Sequence, residues 1–288
     1  MADNQQAHSG FSPMSNKIFQ QFSGFIQDEL GIKMPEAKRT MLQARLQKRL
    51  RKLGIETFEE YFNYVFSDRG MKEEMAHMID AVTTNKTDFF REPQHFDYLV
   101  QKVLPEMIKQ CGAGVRRPAR IWSAGCSTGE EPYTLAMVLS EFSNYCPDFR
   151  FMILATDIST KVLREGSTGI YNHDKVEPVP LALRKKYLLR SKDKEKEMVR
   201  IVPWLRKLIT FRRLNFMDPN FGMRETMDIV FCRNVLIYFD RETQENVLTR
   251  VCRHLIPGGY LFTGHSETLN GLNVPLAPVV STVYRRIP

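Results

Sequence analysis

The 288-residue sequence has no apolar run long enough to cross a bilayer, and no charged-then-apolar leader opens it. Neither a spanning helix nor a secretory signal is therefore expected. It has no C-x-x-C. Its five cysteines (Cys111, Cys126, Cys146, Cys232, Cys252) are odd in number and are not clustered with histidine. That argues against a disulfide framework or a metal site, and for a reducing, cytoplasmic setting. Neither G-x-G-x-x-G nor G-x-x-x-x-G-K-[ST] occurs, which removes the dinucleotide and P-loop fingerprints. Acid is in deficit, with 33 Asp and Glu against 41 Lys and Arg and a formal charge of +8. Nucleic acid, an anionic membrane and an acidic protein surface are all compatible partners for that charge. The length leaves room for two domains and a sizeable core.

What is present centres on Ala119-Arg120-Ile121-Trp122-Ser123-Ala124-Gly125-Cys126-Ser127-Thr128-Gly129-Glu130-Glu131-Pro132-Tyr133. It reads as a buried strand, a turn of small residues that lets a ligand approach the backbone, and a helix with proline in its first turn. A phosphate at that helix N-terminus would meet Glu130 and Glu131, whereas a cationic adenosyl ligand such as S-adenosylmethionine would not. The same residues also suit an ordinary strand-to-helix turn, because acids at a helix start are favoured by its dipole. A second apolar strand, Phe151–Ile158, carries Asp157 at its end, 32 residues after Gly125. An acid there is placed to accept a hydrogen bond from a ribose.

Residues 1–14 are polar and read as a tail, and 15–82 as a helical domain. Its second helix runs from Pro35 to Gly54 and lines up Leu42, Leu46, Leu50 and Leu53 on one stripe, with Lys38, Arg45, Arg49 and Lys52 beside it. Eight basic residues and one acidic residue lie between Lys33 and Lys52. The stripe is either a solvated face or a ridge that docks an acidic macromolecule. Met71–Val82 reads as one further helix. Segment 83–94 (Thr83-Thr84-Asn85-Lys86-Thr87-Asp88-Phe89-Phe90-Arg91-Glu92-Pro93-Gln94) mixes hydroxyls, an amide, two aromatics and an arginine, more than a linker requires. Residues 95–288 alternate strands and helices, the pattern of a mostly parallel, doubly wound sheet. An insertion over 167–212 reads as a small antiparallel subdomain. Tyr187–Leu189, Met198–Val202 and Leu208–Phe211 are its strands, set around the charged run 191–197.

Four motifs, taken in order, carry a resemblance. They are Thr83-Thr84-Asn85 with Phe89-Phe90-Arg91, the Trp122–Tyr133 turn, Cys232-Arg233-Asn234-Val235-Leu236-Ile237-Tyr238-Phe239, and Gly264-His265-Ser266-Glu267. Together they resemble the bacterial chemotaxis receptor methyltransferases of the CheR type, in register from about Phe19 to Tyr284. The resemblance implies a class I, Rossmann-like methyltransferase with a helical N-terminal domain and an inserted β-subdomain. It implies S-adenosylmethionine as methyl donor, S-adenosylhomocysteine as product, and no metal. The substrate would be glutamate side chains on the cytoplasmic helical domain of membrane-bound methyl-accepting receptors, converted to γ-glutamyl methyl esters. A monomer is expected, without nucleic acid or membrane insertion.

The site residues follow from the same resemblance. Asn85, Thr87 and Arg91 resemble the loop that closes over the cofactor. Glu131 and Asp157 resemble its acidic contacts, and Asn215-Phe216 with Asn234-Val235 resemble the adenine and methionine-side contacts. Tyr238 would face the transferred methyl, and Arg91 would orient either the substrate carboxylate or the cofactor's own. Lys38, Arg45, Arg49 and Lys52 would meet the receptor. Relatives that tether to a receptor's C-terminal pentapeptide are expected to carry a glycine in the subdomain loop. Residues 191–197 have none, so tethering is not expected.

The chemistry is consistent with that reading. A carboxylate attacks a methyl sulfonium in line and both charges vanish, so excluding water helps. A glutamate of pKa about 4.3 is already ionised at neutral pH and needs no general base. Nucleic-acid amino-methylating enzymes of this class carry Asn/Asp-Pro-Pro-Tyr/Phe after the fourth strand, where this chain has Arg233-Asn234-Val235-Leu236. A non-catalytic cofactor sensor would have no use for both Arg91 and Tyr238.

Overall fold

The structure, a computed structural model, describes residues 12–193 and 195–288. Most of the expected tail (1–14) and Lys194 of the charged run lie outside the described residues. The chain divides between Thr83 and Thr84 into two compact units.

The first unit is helical. α1 (Asn16–Leu30) is capped by the Ser15 hydroxyl, which accepts from Ile18 N, and closed by Gly31. α2 (Arg39–Leu53) follows a single 3-10 turn after Pro35 and buries Leu42, Leu46 and Leu50. α3 (Phe58–Val65) is capped by Thr57. Two short helices follow where the periodicity predicted one, α4 (Asp68–Glu73) and α5 (Met75–Val82). The break falls at Glu74, which has φ −118° and a buried carboxylate. That carboxylate accepts Arg49 Nε and Nη2, both at 2.7 Å, and Tyr61 Oη at 2.9 Å. A charge removed from water needs partners of this kind.

The same geometry shows where the residues of the basic stripe stand. Arg49 is committed to Glu74, and Arg45 donates to the carbonyls of Val82 and Thr83. The Lys38 amine is half-buried against the Lys33 carbonyl at 2.9 Å, and burial, then the Arg45 charge, holds its pKa below the ordinary lysine value. Lys52 is exposed. Of the four, Lys52 alone is fully exposed; Arg45 and Arg49 sit where α2 packs against the rest of its unit, and Lys38 is half-buried beside the Lys33 carbonyl.

The second unit opens with α6 (Gln94–Tyr98), a π-turn over Leu99–Val103, and α7 (Leu104–Cys111). β1 (Ala119–Ala124) leads into α8 (Glu130–Ser143), then β2 (Phe151–Asp157) into α9 (Thr160–Thr168). Next come β3 (Ile170–Asn172), α10 (Leu181–Tyr187), β4 (Leu188–Arg190), β5 (Met198–Ile201), α11 (Pro203–Arg206) and β6 (Ile209–Arg213). The chain closes with β7 (Met227–Phe231), α12 (Arg241–Arg253), β8 (Leu255–Phe262), β9 (Leu276–Val280) and β10 (Val283–Arg286).

Seven strands form one sheet in the order β6-β2-β1-β7-β8-β10-β9. The first five are parallel, and β10 joins β8 and β9 antiparallel. β1 and β7 are almost wholly buried, as strands covered on both faces must be, and so they read as continuous apolar runs. The one acid in β7, Asp228, is neutralised at the far end of the sheet by the Arg117 fork and the Arg120 backbone N–H. Trp122 Nε1 donates to Thr156 Oγ1 at 2.9 Å and so ties β1 to β2.

A separate three-stranded antiparallel sheet has the order β3-β5-β4. The Leu208–Phe211 stretch, expected in that subdomain, instead enters β6 from Ile209 on, at the edge of the main sheet and in parallel register with β2. Ile170–Asn172 takes its place in the small sheet. Chain order departs from β1 in both directions, to β2 on one side and β7 on the other. The crevice at such a reversal, beyond the carboxyl ends of the strands, is where open α/β sheets bind ligands.

Candidate active site

Five parallel strands deliver their carboxyl ends to one edge. From β1 comes the turn Gly125–Gly129, in which Gly125 (φ 84°), Ser127 (φ 48°) and Gly129 (φ 97°) are all left-handed. A Cβ at Gly125 would lie 2.4 Å from Val235 Cγ2, so glycine is required where the β1 turn meets the loop after β7. From β2 comes Asp157, whose carboxylate accepts Ser127 N at 2.9 Å and Ser159 N at 3.0 Å. It therefore fixes the β1 turn from the carboxyl end of β2.

At the start of α8 the two acids diverge. Glu130 is buried and accepts from Thr128 Oγ1 at 2.7 Å, with Lys175 Nζ at 3.7 Å. Glu131 accepts from Ser123 Oγ at 2.7 Å and pairs with Arg233 Nη1 at 3.3 Å. Burial pushes both carboxyls above their ordinary range; Arg233, Ser123 and Arg91 pull Glu131 back only in part.

Arg233, at the tip of β7, has a side chain only 2% exposed and ties segment 84–94 to this floor. Its Nη2 lies 3.0 Å from Glu92 Oε2 and also donates to the Arg91 carbonyl. Its guanidinium stands 5.5 Å from the Phe96 ring centroid. Burial alone would raise the Glu92 carboxyl, but the Arg233 charge and the His265 backbone N–H outweigh it and hold its pKa down. The segment is held at further points. Ser127 Oγ donates to Asn85 O at 2.9 Å, Phe90 N to Thr134 Oγ1 at 3.1 Å, and Lys175 Nζ to Thr87 O at 3.1 Å. Phe90 (φ 54°), Glu92 (φ 56°) and Asn234 (φ 58°) join Ser127 as non-glycine residues in left-handed backbone. Strain of this kind concentrates at functional sites when surrounding contacts enforce it.

Beyond β7 and β8, Glu267 gathers the backbone N–H groups of Asn234 and Gly264, both at 2.7 Å, and Ile237 at 3.2 Å. Burial raises its pKa against those donors. This carboxylate shapes the loop that carries Asn234, Val235 and the half-buried Tyr238. The structure thus brings Asn85, Glu131, Asp157, Val235 and the Arg91 backbone to one connected set. Arg91's own guanidinium donates to Lys86 O at 3.3 Å. Asn215 and Phe216 lie after β6. The Asn215 side chain accepts Met217 N at 3.0 Å, a local turn bond, and Phe216 packs edge-on to Phe221 and Phe239.

Sequence reasoning did not assign roles to Arg233, Glu92 or Glu267. Arg233 and Glu267 were inside quoted motifs, and Glu92 directly follows Arg91. The available signal was an arginine in an otherwise apolar strand tip, a position that calls for buried carboxylate partners.

The donor set fits S-adenosylmethionine. Glu131 and Asp157 suit a ligand with positive charge and ribose hydroxyls, while the buried Glu130 and half-buried Glu131 make the start of α8 hostile to phosphate. Among the described residues no helix is long and apolar enough to cross a membrane.

Residues 85–285 match the family description "CheR methyltransferase, SAM binding domain", and residues 17–83 match "CheR methyltransferase, all-alpha domain". A chemotaxis protein methyltransferase of Borreliella burgdorferi is 38% identical over 262 residues, covering 91% of each chain. Chemotaxis protein methyltransferase 2 of Pseudomonas aeruginosa is 36% identical, covering 98% of this chain and 95% of the relative. The Escherichia coli chemotaxis protein methyltransferase is 36% identical over 94% of this chain and 91% of its own length. On these matches, and with the two-part fold and the acidic crevice described above, the chain belongs to the CheR methyltransferase family, an all-α domain joined to a domain that binds S-adenosylmethionine.

Proposed function

We propose that the protein methylates glutamate side chains of membrane-bound chemoreceptors to γ-glutamyl methyl esters, acting as a cytoplasmic monomer. The observation that carries this reading is the arrangement around Arg91. Its backbone is latched by Arg233, and its charge lies close enough to Glu131 to lower that carboxyl's pKa. An arginine on a strained, pinned lid suits a substrate that brings its own carboxylate. The names of the relatives supply chemotaxis; the choice of a carboxylate rests on that arginine.

Bound S-adenosylmethionine supplies a methyl group on a cationic sulfur. The rest falls to the chain. Asp157 and Glu131 hold the cofactor's hydroxyl and cationic groups, and Asn85, Thr87 and Arg91 cover it. Asn234 and Val235 line the methionine side, Asn215 and Phe216 the adenine side, and Tyr238 faces the transfer point. Arg91 orients a carboxylate. A cofactor role for Arg91 predicts that Arg91→Ala raises the Kd for cofactor, and a substrate role predicts that it raises KM for receptor. Lid closure keeps water out while charge disappears, which favours the transition state. The test is to incubate the protein with methyl-labelled cofactor and chemoreceptor-containing membranes. Base-labile label on the receptor is expected. Base-stable label, as from amine methylation, would refute the ester assignment.

Cofactor affinity is expected to depend on pH through Glu131. Its raised pKa means that it begins to take up a proton above the ordinary carboxylate range as pH falls. The neutral form no longer attracts a cation, so Kd rises on mild acidification. Calorimetric titrations across pH should show this, and Glu131→Gln should flatten that component. An unchanged pH slope in the variant would assign the effect to another group.

The receptor-facing part of α2 is proposed to be its exposed side, Lys52 with Lys48 and Arg51, in place of the stripe that included Arg45 and Arg49. Lys48→Glu with Lys52→Glu should raise KM for receptor at low salt and leave cofactor affinity intact. Arg49→Ala should act differently. It leaves Glu74 short of its charged donor and lowers the stability of the helical unit by about 1–3 kcal/mol, measurable by denaturant unfolding.

A further inference from the structure

Glu92, His95 and His265 place one ligand atom each within 4.8 Å of one another. His95 is set at the start of α6, and its side chain is only 5% exposed. Its Nε2 lies 2.8 Å from Thr282 Oγ1. That hydroxyl has one proton and donates it to Ser281 O at 2.6 Å, so it can only accept from the ring. The ring proton is thereby placed on Nε2, and Nδ1 presents a bare lone pair. Nδ1 is buried and has no hydrogen-bond partner, and it points at Glu92 Oε2 3.5 Å away. Glu92 Oε2 already accepts Arg233 Nε and Nη2, so the atom without a partner in this buried setting is Nδ1, and a cation between the two atoms would give it one.

His265 completes the arrangement from the solvent side. Its Nε2 is 4.0 Å from the same Glu92 oxygen, and its side chain is 54% exposed. Donors around a tetrahedral zinc ion at about 2.0–2.2 Å stand about 3.3 Å apart, so a small rotation of the exposed ring closes the set. A His Nε2–H fixed by an outer hydroxyl, with Nδ1 free to bind, is how metal-ligating imidazoles are oriented. Two imidazoles and one carboxylate, with a fourth position open to water, select a borderline divalent ion such as Zn2+ or Co2+ over Mg2+ or Ca2+.

We propose that Glu92, His95 and His265 form a binding site for one divalent transition-metal ion, outside the methyl-transfer chemistry and inhibitory to it. The inhibition follows from a shared ligand. Glu92 Oε2 also accepts Arg233 Nη2 at 3.0 Å, and that pair latches the lid. A metal ion on the same oxygen draws the carboxylate away from the guanidinium and repels the guanidinium itself.

The test uses the untagged full-length chain titrated with Co2+ by visible absorption and with Zn2+ by calorimetry. One Co2+ is expected, with a ligand-field band and no thiolate charge-transfer band, and His265→Ala should weaken both ions at least tenfold. His265 is solvent-facing, so this variant keeps its fold, checked by circular dichroism. Zn2+ should slow methyl transfer by the parent chain and have at least tenfold less effect on His265→Ala. Binding that carries a thiolate band and persists unchanged in His265→Ala would overturn the proposal, as would no binding at all. Metal affinity is read without receptor or cofactor, so failure here leaves the methyltransferase reading intact.

Discussion

Arg233→Ala is expected to lower the stability of the methyltransferase domain by about 3–5 kcal/mol, the usual consequence of removing one partner from a buried ion cluster. For a domain of this size that corresponds to a fall in Tm on the order of 10 °C. The reason is specific. Glu92 at 3.0 Å and Glu131 at 3.3 Å would be left with no guanidinium between them, and the Arg91 carbonyl would lose its donor. Activity should fall further than stability accounts for, by about a hundredfold under conditions where the variant remains folded. The arginine acts on the reaction by positioning the lid, and small displacements of aligned groups cost that much. Adding Glu131→Gln to Arg233→Ala removes one stranded charge and should recover part of the lost stability without recovering activity. Additive effects of the two substitutions would show that the pair is not coupled.

Asp157→Ala is expected to weaken cofactor binding by about tenfold to a hundredfold, from the loss of a charged acceptor contributing roughly 1.5–3 kcal/mol. The carboxylate has two tasks, since it also holds Ser127 N and Ser159 N. Alanine removes the proposed ribose acceptor and frees a turn whose Ser127 sits at φ 48°. Asn retains one acceptor oxygen, so Asp157→Asn should fall between parent and alanine. Calorimetry with S-adenosylhomocysteine separates these outcomes. Parent-like affinity in Asp157→Ala would move the ribose contact to another residue.

The nucleotide half of the molecule was legible because its physics is local. Ile121, Trp122, Ile229 and Val230 lie in strands buried on both faces and so form apolar runs, and the small-residue turn leads directly into Glu130 and Glu131 at the start of α8. That Asp157 closes a strand was legible as well. What escaped depends on contacts between distant segments. Nothing near Arg233 in the sequence says that its partners are Glu92 and Glu131, 141 and 102 positions earlier. A helical projection showed that Arg45 and Arg49 share a stripe with Lys38 and Lys52. It could not show that Glu74 and two carbonyls near Thr83 take those guanidinium groups. Leu208–Phe211 was readable as a strand, but a short apolar run does not specify its partner, and pairing with β2 placed it in the main sheet. The break at Glu74 escaped for the same reason, since helical spacing continues across it while its carboxylate is drawn inward.

The central claim is that the crevice at the carboxyl ends of β1, β2 and β7 grips the methyl donor. Crystallography of the protein with S-adenosylhomocysteine tests it most directly. The account predicts the nucleoside across the Gly125–Gly129 turn, ribose hydroxyls on Asp157, Glu131 beside the amino-acid end and residues 85–91 closed over it. A ligand bound elsewhere, with Asp157 and Glu131 making no contact to it, would contradict the account.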